Sequence, residues 1–313
     1  MKVMAQEEYD FQIIANLMAG KGEAGKELER IKNFLENNGQ SYRVTAIDTP
    51  TPISKIPEDG RIKIKKGVIC IGGDGTVSET VGYILNNKIE APIALIPTGT
   101  ANIIAATLKL ELKRDNFGFL LRNEIKEIDI GVAEYQDEKD YFLLGLGLGF
   151  EENFLRLTKE KFKSKLGAFS YIFAALSELL SLKKIPLMIE NSQIQIKTNV
   201  CLLTVLNLQP VILAHFPLFK NKEIKGSDGV LDLYWVEYNG SIFGKSYFQV
   251  FLGTLFFHIF GRVNFGFVKK ISGKEFSLES PALVGTQIDG ELRSKLPVRI
   301  SLHSQKCRFL CPK

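Results

Sequence analysis

The stretch CIGGDGTVSET, residues 70–80, follows an apolar run at 67–71 and precedes a segment with helical spacing at 77–85. The run reads as a strand and the segment as a helix. A strand that ends where a helix begins marks the carboxyl edge of an α/β sheet, where open sheets bind ligands. Gly72 and Gly73 permit a sharp turn and a close backbone approach. The helix behind them aims its unpaired N–H groups and positive dipole end at the same spot, with Gly75, Thr76 and Val77 at its mouth. The loop therefore reads as an anion site, for phosphate first of all. Asp74 in its middle suits phosphate when a divalent cation lies between them, holding Mg²⁺ or ordering a water or hydroxyl. The plainer alternative is a tight turn with an Asp-Gly corner.

The logic repeats downstream. In IALIPTGTANIIAATL, a strand at 93–96 runs into Pro97-Thr98-Gly99-Thr100, and Asn102 stands at the mouth of a helix at 101–108. Thr100 and Asn102 are short hydrogen-bonding side chains, suited to helix capping. Beside the first loop they suit a shared nucleotide site on one sheet edge. Upstream, 11–15 and 42–47 read as strands flanking a helix at 23–37. This is the βαβ rhythm of a parallel sheet.

After residue 127 the pattern changes to short alternating strands with Gly and Asp-Gly turns, at 129–134, 141–149, 192–197, 200–206, 230–236, 277–279 and 298–302. Helices are expected at 165–182 and 241–260. The expectation is an α/β domain over 1–127 and an antiparallel β domain over 128–302.

Bulk properties limit the function. The chain has 313 residues, 45% hydrophobic, with net charge +5 and a mean hydropathy of +0.03. That is a globular composition. The charge suits an anionic partner such as a nucleotide or an acidic membrane surface, and is far below that of a dedicated nucleic-acid binder. Cys70, Cys201, Cys307 and Cys311 show no CxxC pair or zinc spacing, which predicts reduced thiols in a cytosol. No apolar signal region opens the chain. The most apolar run, YFQVFLGTLFFHIFG at 247–261, is too short and too interrupted to span a bilayer. His215, His258 and His303 are scattered and form no catalytic or metal pattern.

GKGEAG, at 20–25, is a literal G-x-G-x-x-G with Asp48 at a suitable distance, the signature of dinucleotide folds. Extended to GKGEAGKE it nearly makes a phosphate-binding P-loop, but Glu27 stands where Ser or Thr must hold the metal. A glycine-rich loop flanking the nucleotide cleft is the simpler reading.

GGDGT followed by PTGTAN resembles the bacterial diacylglycerol kinase and lipid kinase family, which also contains the catalytic domains of sphingosine and ceramide kinases. IDIGVAE at 128–134, GLGLGFEENFLRL at 145–157, GSDGVLDLYWV at 226–236 and QIDGEL at 287–292 extend the likeness over nearly the whole chain. The resemblance implies a phosphofructokinase-like or NAD-kinase-like α/β domain that binds ATP, a C-terminal β-sandwich with flanking helices, and a chain end, 303–313, that returns to the first domain. It implies ATP contacts at Gly72, Gly73, Asp74, Gly75, Thr76, Val77, Thr100 and Asn102, with Asp48 or Thr49 adding one from the end of the second strand. It makes Glu291 the catalytic base, with Asp289 beside it and Asp74 at the metal. It also implies a structural Mg²⁺ on Asp228 and the carbonyls of Lys225 and Val230.

The chain departs from the family in three places. Its first loop, Asn16-Leu17-Met18-Ala19-Gly20, lacks the usual proline; Ile103-Ile104 follow GTAN where many members have an acid; and PVILAHFPLFKNKEIKG replaces a glycine-rich segment before Asp228. From below, a kinase needs a carboxylate to orient or deprotonate its acceptor, and a turn acid such as Glu291 is one candidate. The apolar stretches 162–182 and 247–260 have basic flanks, including Lys163, Lys165, Lys183 and Lys184, which suits docking on anionic lipid. The expected activity is ATP- and Mg²⁺-dependent phosphorylation of a membrane-lipid hydroxyl, diacylglycerol to phosphatidic acid by default, by a cytoplasmic, peripherally membrane-associated enzyme. A long-chain-base kinase, an NAD kinase-like enzyme and a non-catalytic nucleotide- or lipid-binding protein stay open, as does a homodimer.

Overall fold

The computed structural model describes residues 7–48, 53, 62–110, 117–122, 124–149, 184–210, 226–238 and 268–312. The expected helices at 165–182 and 241–260, with their basic flanks Lys163, Lys165 and Lys183, lie outside these residues, as do Thr49 and Lys225. The chain forms two compact units, Met1–Ile128 with Gln305–Lys313, and Asp129–Ser304.

The first unit is built on a six-stranded sheet. In chain order it runs β1 (Glu7–Asn16), α1 (Glu23–Asn37), β2 (Tyr42–Ile47), β3 (Ile62–Gly72), α2 (Asp74–Asn86), β4 (Ile93–Pro97), α3 (Ile103–Leu108) and β5 (Ile125–Ile128), with the last strand, β17 (Cys307–Leu310), inserted beside β4. The order across the sheet is β2-β1-β3-β4-β17-β5. All neighbours are parallel except β5, which runs against β17.

Alternation on β1 sorts the layers. Phe11, Ile13 and Ala15 pack with Ala24, Leu28, Ile31 and Leu35 of α1. Ile14 packs on the other face with Val68 and Tyr83. The α1 residues recur every three to four positions, and full burial of each large one contributes about 1.5–3 kcal/mol. Cys70 and Cys307 are buried. Burial pushes the Cys70 thiol up to about 12 and that of Cys307 higher still, so both are neutral.

α2 begins at Asp74, three residues before the sequence predicts. The glycines of GGDGT suggested loop, but a first turn needs no strong helix former, and an acid there is favoured by the helix dipole. Gly73 is the residue ahead of the helix, with extended backbone (φ −98°, ψ −171°).

The second unit contains β6 (Gly131–Glu134), β7 (Lys139–Phe142), β8 (Gly145–Leu148), β9 (Ile185–Glu190), β10 (Gln195–Leu206), β11 (Leu231–Glu237), β12 (Val268–Gly273), β13 (Glu275–Glu279), β14 (Gly285–Ile288), β15 (Glu291–Lys295) and β16 (Val298–Leu302). Every pairing is antiparallel, in the order β15-β14-β8-β10-β9-β13-β16-β6-β7, with β11 and β12 branching from β10. The strand predicted at 141–149 is two strands, and those predicted at 192–197 and 200–206 are one. β9 escaped the sequence reading because Pro186 interrupts its alternation, although Ile185, Leu187 and Ile189 all point into the core.

β15 and β7 stand at opposite ends of this order, yet their side chains meet. Arg293 Nε lies 3.4 Å from Asp140 Oδ2, and Ser294 Oγ donates to Glu138 Oε2 at 2.7 Å. Thr286 Oγ1 donates to the Ser294 carbonyl (2.7 Å). Tyr135 is therefore the donor in its 2.6 Å contact with Thr286 Oγ1. Burial pushes the Tyr135 phenol up to about 12, which keeps that donor in place. The sheet thus folds over until its edges touch, enclosing one core that includes Phe142, Leu146, Leu203, Trp235, Phe276 and Ile300.

Candidate active site

In the first unit the loops after β1, β3 and β4 converge at the carboxyl edge. Sheet order sets β1 beside β3, and the chain leaves β1 towards β2 on one side and β3 towards β4 on the other, so the ligand crevice of such a sheet opens between them. A Cβ on Gly72 would lie 2.3 Å from Thr76 Oγ1, and one on Gly99 would lie 2.5 Å from the Cα of Gly73. The missing side chains therefore let loop pack on loop. Gly20, at φ +67°, serves likewise: its Cβ would sit 2.2 Å from the Thr98 carbonyl oxygen. Asn16 Nδ2 donates to Thr76 Oγ1 (3.2 Å), tying the first loop to the start of α2. Gly20 thus belongs to loop packing, while Gly22 precedes α1 and Gly25 lies within it.

The acid in GGDGT has a partner the sequence does not announce. Asp74 Oδ2 accepts from Ile103 N (3.0 Å) and Oδ1 from Ile104 N (2.8 Å). Asp74 is therefore the cap of α3, supplied from the neighbouring loop. Asn102 occupies the cap position of that helix but makes no side-chain cap bond. Its backbone is left-handed (φ +47°), and its Nδ2 instead donates back to the Gly99 carbonyl (2.9 Å). Side-chain capping by Asn102, expected from sequence, is thus replaced by Asp74. The N-terminus of α3 is filled, and the first-turn N–H groups of α2 remain as the donor set for an anion.

Around that donor set, Gly73, Asp74 and Gly75 are half-buried, Thr100 is exposed, and Asp48 is exposed just beyond β2. Thr76 and Val77 are buried. Two polar atoms buried beside the loops, Thr98 Oγ1 and Asn102 Oδ1, have no hydrogen-bond partner among the described residues. Buried polar atoms normally have one, so these fit a bound ligand or its water. A nucleotide phosphate fits this edge. For magnesium, each Asp74 oxygen keeps a lone pair beyond its N–H bond, and no group of three His, Cys, Asp or Glu gathers among the described residues. This suits an ion carried chiefly by nucleotide phosphates and water, the usual habit of Mg²⁺.

One prediction follows for the cap. Asp74→Ala leaves two N–H groups without their acceptor and lowers the unfolding free energy by about 1 kcal/mol. Asp74→Asn, which keeps one acceptor, loses roughly half of that. Urea titration of the three proteins measures it, and an Ala variant as stable as the parent would refute the capping role.

In the second unit, Asp289 and Gly290 form the two-residue corner between β14 and β15, with φ of +48° and +84°. Positive φ at both positions is what a type I′ hairpin requires, and Asp-Gly is a preferred pair for it. The Asp289 carboxylate turns away from the corner and accepts three backbone N–H bonds: Leu143 (2.9 Å), Leu144 (2.9 Å) and Gly145 (3.0 Å). It pins the break between β7 and β8. Glu291 opens β15 with its side chain 38% exposed and ion-paired to Arg293 at 3.2 Å. Arg293 is shared with Asp140, so the seam of the sheet also orients Glu291.

At the turn 226–230, Asp228 is exposed and its Oδ1 accepts from Val230 N (3.2 Å). The turn is anchored by a residue that sequence reasoning passed over. Asp129, 5% exposed, accepts from Gly229 N at 2.7 Å. A lone acid between Ile128 and Ile130 was its signal. Arg293 was legible as the residue two beyond Glu291 on the same strand face. Asn207, the one amide closing the apolar run CLLTVLNL, was likewise missed.

Residues 10–133 match the family described as diacylglycerol kinase catalytic domain. A protein of Staphylococcus carnosus named as a candidate lipid kinase is 26% identical over 298 residues, covering 93% of each chain. Sphingosine kinase B of Dictyostelium discoideum is 25% identical over 128 residues, 39% of this chain and 17% of that one. Among solved structures, one described as a candidate diacylglycerol kinase from Bacillus anthracis superposes with a TM-score of 0.68 at 23% identity, covering 97% of both chains. That likeness shows the shared fold: a parallel-sheet first unit and an antiparallel-sheet second unit. The match to the diacylglycerol kinase catalytic domain spans most of the first unit and the start of the second.

Proposed function

We propose that this protein is an ATP- and Mg²⁺-dependent lipid kinase that transfers the γ-phosphoryl group to a hydroxyl of a membrane lipid, diacylglycerol before other acceptors. The observation that carries the reading is the carboxyl edge of the first sheet. There the first turn of α2 keeps its N–H donors, while the neighbouring helix start is already capped by Asp74. Phosphates bound there would be cradled by backbone, with Gly72, Gly73, Gly75, Thr76 and Val77 shaping the loop and Thr100 and Asn102 at its margin, and Asp48 or Thr49 would add a further contact. When bound, Mg²⁺ neutralises phosphate charge and draws the transferring group into line. Asp74 would reach it with a remaining lone pair. Glu291 would take the acceptor proton, and Asp289 would hold Glu291's corner. Asp228 with Lys225 and Val230 would carry the structural Mg²⁺.

A lipid acceptor is supported by the family and by the names of the relatives, one of which is a sphingosine kinase. A long-chain base is the second candidate. Among the described residues no helix is long and apolar enough to cross a membrane. Access to lipid would come from peripheral docking, for which the basic-flanked stretches 162–182 and 247–260 are the candidates.

The test is [γ-³²P]ATP with a total lipid extract, resolved by chromatography with and without EDTA. The expected product is a labelled phospholipid co-migrating with phosphatidic acid, abolished by EDTA. A labelled long-chain-base phosphate would move the acceptor to the sphingoid class. A labelled dinucleotide, or no labelled product, would refute lipid kinase activity.

A further inference from the structure

Asn207 lies just past β10 and is wholly buried. Its Nδ2 donates to two carbonyls, Asp129 O (2.7 Å) and Leu143 O (2.8 Å). Its backbone N–H donates to Leu144 O (2.9 Å), and that of Leu208 to the same oxygen (3.2 Å). Its Oδ1 has no partner among the described residues. The amide is therefore held through its donor side alone. Rotating it by half a turn would set its oxygen against two carbonyl oxygens, so the contacts fix its orientation.

These bonds meet those of Asp289 on one peptide. Leu143 gives its N–H to Asp289 and its carbonyl to Asn207. Leu144 gives its N–H to Asp289 and its carbonyl to the backbone of Asn207. Asp289 N in turn donates to Gly145 O (3.0 Å). The break between β7 and β8 is thus clamped from both sides, and one jaw is the corner that leads into Glu291. Through Asp129, whose carboxylate holds Gly229, the same amide reaches the turn that carries Asp228. No hydroxyl could replace it, because a hydroxyl has one proton for two carbonyls.

We propose that Asn207 is a positioning residue for the phosphoryl transfer, acting through the Leu143–Asp289 clamp on the orientation of Glu291. This rests on Glu291 being the base of the proposed reaction. Misplacement of a reacting group by about 1 Å costs up to about 10²-fold in rate. Asn207→Ser is therefore expected to lower kcat by about 10–100-fold with the KM for ATP unchanged.

A kinetic cycle with Glu291→Gln tests it, with folding followed by circular dichroism. If Asn207 acts through Glu291, adding Asn207→Ser to Glu291→Gln lowers kcat by less than about twofold further. Asn207→Asp goes through the same cycle, because it keeps the shape and, when protonated, one of the two bonds. It covers the case in which the serine variant does not fold. An equal loss in both backgrounds overturns the positioning role and leaves Asn207 as a general packing element. Parental turnover in Glu291→Gln alone overturns the base reading, and with it the route assigned to Asn207.

Discussion

Glu291→Gln is expected to lower kcat by about 10²–10⁴-fold, the usual contribution of a positioned general base. The motive is geometric. Glu291 is the first residue after a two-residue corner, its side chain 38% exposed and aligned by Arg293 at 3.2 Å. Glutamine keeps the shape and can still accept from Arg293, but it cannot take a proton. A neutral alcohol attacks phosphorus poorly until its proton has somewhere to go. The loss therefore falls in the transition state, and the KM for ATP stays near the parental value. Steady-state kinetics with lipid-detergent micelles measures both constants. Parental kcat would place the base elsewhere. Asp74 would then be a weak successor, since both its oxygens already accept backbone N–H groups.

The fold was largely legible because period and punctuation agree. Strands at β1, β3 and β4 each end at a turn signal, and α1 shows its apolar stripe without ambiguity. The errors fall where a long-range bond overrides the local pattern. An unbroken strand over 141–149 satisfies hydropathy, and the break is made by distant partners, among them the Asp289 carboxylate, 146 positions away from Leu143 in sequence. Likewise β10 runs through Thr198 and Asn199 because β9 supplies partners there.

The site was legible as a set of residues and much less as a set of roles. Asp74 drew attention as a metal ligand, yet its bonds go to a helix 29 residues on. Gly72 looked like room for a ligand, and that room is taken by Thr76. Motif residues can be conspicuous because they build the loop that does the binding. Sequence spacing cannot separate the two, since both demand small or acidic residues in the same turn. Asn207 and Asp129 were passed over for a related reason: a single buried amide or acid in an apolar run has no periodic signature, and its partners lie in turns far along the chain.

That distinction gives Asp289 the largest expected effect on stability. Its carboxylate is the acceptor for three N–H groups at a turn whose residues Leu143 and Leu144 are buried. Hydrogen bonds to a charged group contribute about 1.5–3 kcal/mol each, and they share one carboxylate here, so the sum is not additive. Asp289→Ala is expected to lower the unfolding free energy by about 3–5 kcal/mol, part of it because alanine tolerates the left-handed backbone at φ +48° poorly. Asp289→Gly relieves that backbone strain but restores no acceptor, and so recovers only about 1 kcal/mol. Asp289→Asn tolerates the backbone and keeps one oxygen, and is the mildest of the three at about 2 kcal/mol. The chain has one tryptophan, Trp235. It is 5% exposed in the core of this unit, so its fluorescence in urea reports the unfolding directly. The order Ala, Gly, Asn from least to most stable is the outcome that assigns the loss to the carboxylate. Equal midpoints for Ala and the parent would show that the clamp is not formed in solution. Asp289 would then stand beside Glu291 as a chemical group instead of its support.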